Sequence, residues 1–351
     1  MIPRRVDELK EDDILARPVM IDKYRELLAE NTRLKKEYIV KLKEFAIDLV
    51  YIKEREIYDE EEIIHLKITS TSIMKDKIQN ILQSHIHQDN SDLQELSEAA
   101  DSIIDGILNE EKVLERIFDI RERSADIYEH SLNVCIFSVI IAIKENLSKS
   151  IIHDIGVGCL LHELGLRYII SDFDNKSLNQ MPKYHAEEYK KHPIYGYYAI
   201  ETEDWLTELS KNIILYHHER KDGSGFPLKI RDYSKEIMIV NVCDTFDEMI
   251  SGIGYTRIKV YEAVEFLKSY AAQYFDPHFV ESFLQITAVY PTNSIVITNE
   301  GETGIVIRQN KQFPERPVLK IIKDKDGNPF EGLKYIDLLK IHDIFIEEVI
   351  M

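Results

Sequence analysis

Imidazole and carboxylate side chains concentrate in one stretch of this 351-residue chain. The segments carrying His130, His162, His192, the adjacent His217 and His218, and Asp244 recur every 25 to 32 residues, with Asp126 and Glu163 beside the first two. These are the donors of Fe, Mn or Zn hydrolytic centres, whereas a soft thiolate site needs cysteines. Two metals held close together share a bridging hydroxide and clamp a phosphate, the arrangement for in-line phosphodiester hydrolysis. On a helix, Asp126 and His130 share a face, and so do Glu188 and His192. A recurrence of about one helix hairpin lets a bundle bring one ligand per helix to a common centre. Taken singly, His192 before Pro193 also suits a helix end, and Asp244 suits a hydrogen-bonded core acid. Together they are costly to bury unless paired or metal-bound.

Two further stretches bear on this centre. His153-Asp154 spells a metal-binding dipeptide nine residues before His162, about half a turn out of phase on a continuous helix. His162 lies among Leu160, Leu161 and Leu164, while His153 follows Ser148-Lys149-Ser150. The site is therefore expected to take His162, with His153 at the surface or a helix start. In HHERKDGSGFP, from His217 to Pro227, two histidines close a helix and Asp222 to Gly225 force a tight turn. Phe226 and Pro227 follow. Such a loop could line a ligand pocket and offer backbone N–H groups to phosphate; from chemistry alone, a plain glycine-rich turn is the simpler reading.

The elements that must position these residues read as mainly helical. SLNVCIFSVIIAIKE and IGVGCLLHELGLRYII are too long for strands and predict buried helices, so residues 126–287 form a helical bundle core. Residues 1–60 predict a small α+β module with a helix running from Lys36 to about Glu54. Residues 61–125 predict lead-in helices with a looser hinge at His85–Asp92. Over 288–351, SIVITN, TGIVIRQ and PVLKIIKD are β-branched runs between turn signals, and they predict a short antiparallel β appendix.

A net charge of −19 disfavours binding to a nucleic-acid polymer, which needs clustered Lys and Arg. A small phosphorylated ligand remains compatible, because a local cationic centre overrides the global field. Cys135, Cys159 and Cys243 sit far apart in apolar runs and read as buried reduced thiols. No run of eighteen uncharged apolar residues occurs, so no membrane span is expected. The start lacks a secretory apolar stretch, and a cytoplasmic location is expected.

At these residues the chain resembles the HD-GYP family, a branch of the HD metal-dependent phosphohydrolase superfamily. YEHSLNV resembles the segment of the family's first His, GCLLHELG its HDIG helix, and KHPIYG its His-Pro motif. HHERKDGSGFP resembles the HHE-DG-GYP signature, and VCDTFDEM the downstream Asp helix. The resemblance implies a helical core binding two or three divalent ions, iron or manganese, and cleavage of cyclic di-GMP to pGpG or GMP. Carried over, the metal ligands are His130, His162, Glu163, His192, His217, His218 and Asp244, with Asp126 as an extra ligand where three-metal members place Glu. Glu163 and Asp244 are the catalytic carboxylates. Gly225, Phe226, Pro227, Tyr255 and Arg257 would bind the nucleotide. A second copy or protein signalling partners fit such a module.

The departures point at phosphate recognition. Glu163 stands where the family has Asp, and Leu166 where it has Lys, with Arg167 one residue late. The loop reads Gly-Phe-Pro, and Ile253-Gly254-Tyr255 replaces Arg-Pro-Tyr. A charged hydrogen bond to phosphate is worth roughly 1.5–3 kcal/mol, so binding should be weaker. Three functions stay open: the phosphodiesterase, a catalytically weak receptor or adaptor keeping the fold, and a hydrolase of another nucleotide.

Overall fold

The computed structural model describes residues 71–84, 93–108, 125–310 and 313–350, and most of 2–52. The chain divides into two units, Met1–Ile63 and Ile64–Met351. In the first, β1 (Ile2–Arg5) pairs antiparallel with β4 (Leu49–Ile52), and β2 (Val19–Asp22) with β3 (Arg25–Leu28). Helix α1 (Lys36–Glu44) adds Leu42 to a core with Leu15, Leu34 and Val50. The predicted helix to Glu54 thus stops ten residues early. Leu49-Val50-Tyr51-Ile52 fits a pleated surface, and pairing with β1 captures it as a strand.

The second unit begins with α2 (Thr71–Ser84), α3 (Glu95–Leu108), α4 (Ile127–Lys144) and α5 (Lys149–Leu161). The hinge expected at His85–Asp92 lies outside the described residues. A 3-10 turn (Leu164–Tyr168) leads to α6 (Lys183–Tyr189), α7 (His192–Ile200) and α8 (Glu208–Tyr216). Then come α9 (Lys235–Ser251), α10 (Val260–Ser269) and α11 (Pro277–Leu284). The side chains of Asp126, Ser148 and Thr207 accept from backbone N–H groups at the starts of α4, α5 and α8, satisfying orphan donors. Ile78, Ile103, Val139, Ile155 and Phe246 belong to one apolar core, so α2 and α3 pack into the same bundle as α4, α5 and α9.

Helix α4 is long and apolar enough to cross a membrane by length and composition, yet 67% of it is buried inside this unit. Its apolar character serves the core and carries His130 to the interior. Helix α9 is buried almost all round and ends at Gly252, whose φ of +82° suits glycine. A helix buried on every face is normally apolar throughout. This one places Asp244, Asp247 and Glu248 in the interior.

The β appendix is a five-stranded antiparallel sheet in the order β8-β7-β6-β5-β9. Its strands are β5 (Ile295–Thr298), β6 (Thr303–Arg308), β7 (Val318–Lys323), β8 (Pro329–Asp337) and β9 (Ile346–Val349). Val296, Val306, Leu319 and Ile336 fill its core. The last two strands extend the three runs that the sequence singles out. Ile346–Val349 has only a half-buried rim to signal it.

One crossing governs the site. The 3-10 turn lies against α7 so closely that a Cβ on Gly165 would overlap the His192 carbonyl. Only glycine permits that approach, and it brings Glu163 beside His192. Gly165→Ala is expected to cost about 1–3 kcal/mol by overpacking and to weaken metal binding in parallel. Thermal unfolding together with Mn(II) titration checks both effects.

Candidate metal centre

Three histidines take up their positions through the ends of helices. His162 follows α5 and its Nδ1 donates to Cys159 O at 2.6 Å. His192 opens α7 and its Nδ1 donates to Tyr189 O, at the end of α6, at 2.7 Å. His217 follows α8 and its Nδ1 donates to Ile214 O at 2.8 Å. Carbonyls in a last helical turn lack intrahelical partners, so each accepts the imidazole proton. The proton on Nδ1 leaves Nε2 as a bare lone pair. The Nε2 atoms of His192 and His217 then face each other at 3.0 Å. Those of His130 and His162 are 3.1 Å apart.

Carboxylates complete the cluster. Asp244 Oδ1 lies 3.2 Å from Nε2 of both His130 and His162. Glu163 reaches two sides, with Oε1 3.7 Å from His130 Nε2 and Oε2 3.1 Å from His192 Nε2. His218 stands 3.7 Å from Asp244 Oδ2 through Nδ1 and 3.7 Å from Glu248 Oε1 through Nε2. Ligand atoms fall within 4.8 Å of one another in the groups His130/His162/Asp244, His192/His217/His218, His162/Glu163/His217 and His218/Asp244/Glu248. Every member is buried. Both oxygens of Glu163, Asp244 Oδ2 and His218 Nε2 have no hydrogen-bond partner, which is costly without a cation. The nitrogen and oxygen donors suit a divalent metal, and the residues present fit such a group.

The expected ligands His130, His162, Glu163, His192, His217, His218 and Asp244 are therefore brought together, and Asp126 is not. Asp126 precedes α4, accepts from the Tyr128 and Glu129 N–H groups, and pairs with Lys75. Capping consumes the side chain expected as an extra ligand. Glu188 does not share a helix with His192, because α6 ends between them, and it pairs with Lys191. His153 sits in the second turn of α5, partly exposed, bonded to Ser97 Oγ at 3.0 Å and in none of the clustered groups.

The loop after His218 is held from inside. Glu219 Oε1 accepts from Leu228 N and Lys229 N at 2.7 and 2.9 Å, and Phe226 N donates to His218 O. Gly223 N and Ser224 N are bonded to Arg220 O and Asp222 Oδ1. These N–H groups are spent within the protein, as in a plain glycine-rich turn, and are not turned outward to a phosphate. A Cβ on Gly225 would overlap the backbone of residues 218–220. The Phe226 ring, next to Pro227, lies 4.4 Å from His218 at 32°. Arg257 is withdrawn: its Nε and Nη2 donate to Ser251 O, at the end of α9. Burial pushes the half-buried Tyr255 phenol up to about 12. Leu166 is buried beside Met181, Tyr189 and Phe226, and Ile253 is fully buried.

Two acids escaped the sequence reading. Asp247 Oδ2 accepts from His130 Nδ1 at 2.7 Å, and Glu248 Oε1 accepts from the Tyr189 hydroxyl at 2.9 Å. Their signal was present, since positions three and four after Asp244 share its helix face.

The HD domain family matches residues 112–279, and the KOW domain associated with HD domain matches residues 295–351. The chain is 25% identical over 232 residues to the cyclic di-GMP phosphodiesterase PA4108 of Pseudomonas aeruginosa, covering 64% of this chain and 55% of that protein. It is 31% identical over 176 residues to a cyclic di-GMP phosphodiesterase of Thermotoga maritima, covering 48% of each. Over residues 112–279 the chain is thus similar to HD domains. The chain spans about half the length of these curated relatives. The fold is shared with Bd1817, an HDG"Y"P protein from Bdellovibrio bacteriovorus, with a TM-score of 0.51 and 20% identity over 80% of this chain and 97% of that one.

Burial sets the protonation states of the cluster. It lowers His192, and it lowers His217 and His218 well below the usual imidazole range, aided by their imidazole neighbours. These rings stay neutral, as metal ligation requires. Burial works the same way on His130, but Asp244 and Asp247 outweigh it and hold that imidazole well above its ordinary value. Burial raises Asp244, yet the bond from His130 holds it well below its ordinary value. Glu248 is pushed well above by burial and by Asp244 and Glu163.

A metal bound at His130 Nε2 must displace the proton held there. Mn(II) affinity should therefore rise with pH up to the raised His130 value, by at most about tenfold per unit for one proton. Calorimetry in two buffers of different ionisation enthalpy should register proton release; a pH-independent affinity would contradict the assignment.

Proposed function

We propose that this chain is a metal-dependent phosphodiesterase hydrolysing cyclic di-GMP to pGpG or GMP with divalent iron or manganese. The observation that carries the reading is Glu163, whose oxygens face His130 and His192 at 3.7 and 3.1 Å. One carboxylate so placed can serve two cations, the arrangement suited to a phosphodiester. The names of the relatives support the substrate. When bound, the metals supply a nucleophilic water at neutral pH and offset charge on the phosphate. The chain's own residues hold and orient: Asp247 fixes His130, helix-end carbonyls fix His162, His192 and His217, and Asp244 joins the first two rings. Phe226 packs on His218 and, with Tyr255, shapes the base pocket. The free, buried cysteines fit a reducing cytoplasm.

A second reading, the catalytically weak receptor, has its own observation. Leu166 is buried in an apolar cluster and Arg257 is tied to Ser251 O, so neither position offers a free cation to grip phosphate. The discriminating experiment loads the purified protein with Mn(II) or Fe(II) and follows cyclic di-GMP by chromatography. Turnover is expected, and His217→Ala should lower it about 100-fold or more, beyond what loss of a residue merely supporting a ligand costs. Metal-loaded wild type that binds the dinucleotide and leaves it intact would establish the receptor instead.

A further inference from the structure

Asp126 is spent on capping, yet the centre contains a carboxylate that none of the residues carried over from the family resemblance accounts for. We infer that Glu248 is a metal ligand, closing with His218 and Asp244 a cation position at one side of the cluster. The inference rests on the reading of the centre as a metal site.

Glu248 stands one helical turn after Asp244 on α9, so both project from the same face. Its Oε1 lies 3.7 Å from His218 Nε2, and Asp244 Oδ2 lies 3.7 Å from His218 Nδ1. One ligand atom from each of the three residues falls within 4.8 Å of the others. The second observation is independent of that spacing. Glu248 Oε2, Asp244 Oδ2 and His218 Nε2 are all fully buried and without a hydrogen-bond partner. Tyr189 donates only to Glu248 Oε1, so the other oxygen is left to a group of another kind. Asp244 divides its oxygens, Oδ1 toward His130 and His162 and Oδ2 toward His218.

Charge favours the same assignment. Two divalent ions bring four positive charges to a buried site, and Glu163, Asp244 and the Asp247 bonded to His130 return three negative ones. A fourth carboxylate, Glu248, brings the site nearer neutrality where uncompensated charge is costly. A set of two carboxylates and one imidazole suits a hard ion such as Mn(II).

The test titrates metal-free wild type and Glu248→Gln with Mn(II), counting free ion by electron paramagnetic resonance. Glutamine keeps an acceptor for the Tyr189 hydroxyl, so circular dichroism and Tm of the metal-free protein should be unchanged. The expected result is that one binding event weakens about tenfold or more, on the scale of lost metal support, while the remaining affinity stays. Equal stoichiometry and affinities in both proteins would overturn the inference. Wild type that takes up no Mn(II) or Fe(II) at all would overturn both this and the metal-site reading. Should Glu248→Gln fail to fold, Mn(II)-soaked crystals of the wild type decide. An anomalous peak within bonding distance of the Glu248 carboxylate supports the assignment, and peaks confined to the imidazole groups refute it.

Discussion

The structure depends on one recurring interaction: a helix ends, its last carbonyls lack partners, and an imidazole Nδ1–H fills the vacancy. It happens at His162, His192 and His217. Each bond satisfies backbone at the end of a helix and at the same time fixes a tautomer. Bundle topology and ligand chemistry are thus coupled. The helices must end inside the protein for the lone pairs to converge, and their ends are tolerable there because the histidines complete them. Asn241 on α9 extends the device by donating to the backbone carbonyls of Tyr216, His217 and Glu219.

What the sequence revealed follows from this coupling. Histidines spaced by one helix hairpin were legible because a bundle has few ways to place them. His153 was separable from His162 by phase and by its polar neighbours. Asp126 was misjudged because i, i+4 spacing holds only within a helix, and a residue at its start has a competing use as a cap. Glu188 failed for the same reason, since a helix boundary at residues 190–191 is invisible to spacing alone. Asp247 and Glu248 were missed although α9 reads as one helix. They lie on the helix face that carries Asp244.

Fold legibility had similar limits. Long apolar runs gave the bundle, since nothing but a buried helix absorbs them. The stretch after Glu44 shows the weaker case, where tertiary pairing with β1 overrode a continuous helical pattern. The β appendix was read from three β-branched runs. Its remaining strands carry Gly332, Glu347 and Glu348 at exposed positions, and strand propensity alone does not detect those.

The surroundings of the cluster separate two tasks that one site must perform. Its interior is rich in donors aimed at cations, while the side next to it, formed by Leu166, Met181, Tyr189 and Phe226, is apolar. Arg220, the buried cation near His218, is bonded to Thr245 Oγ1 and Glu219 O and lies against Phe275. With Arg257 tied to α9, phosphate recognition would fall to the metals themselves. A ligand would then owe its affinity to base stacking on Phe226 and its orientation to the cations. Substrate binding in such a site is inseparable from metal loading.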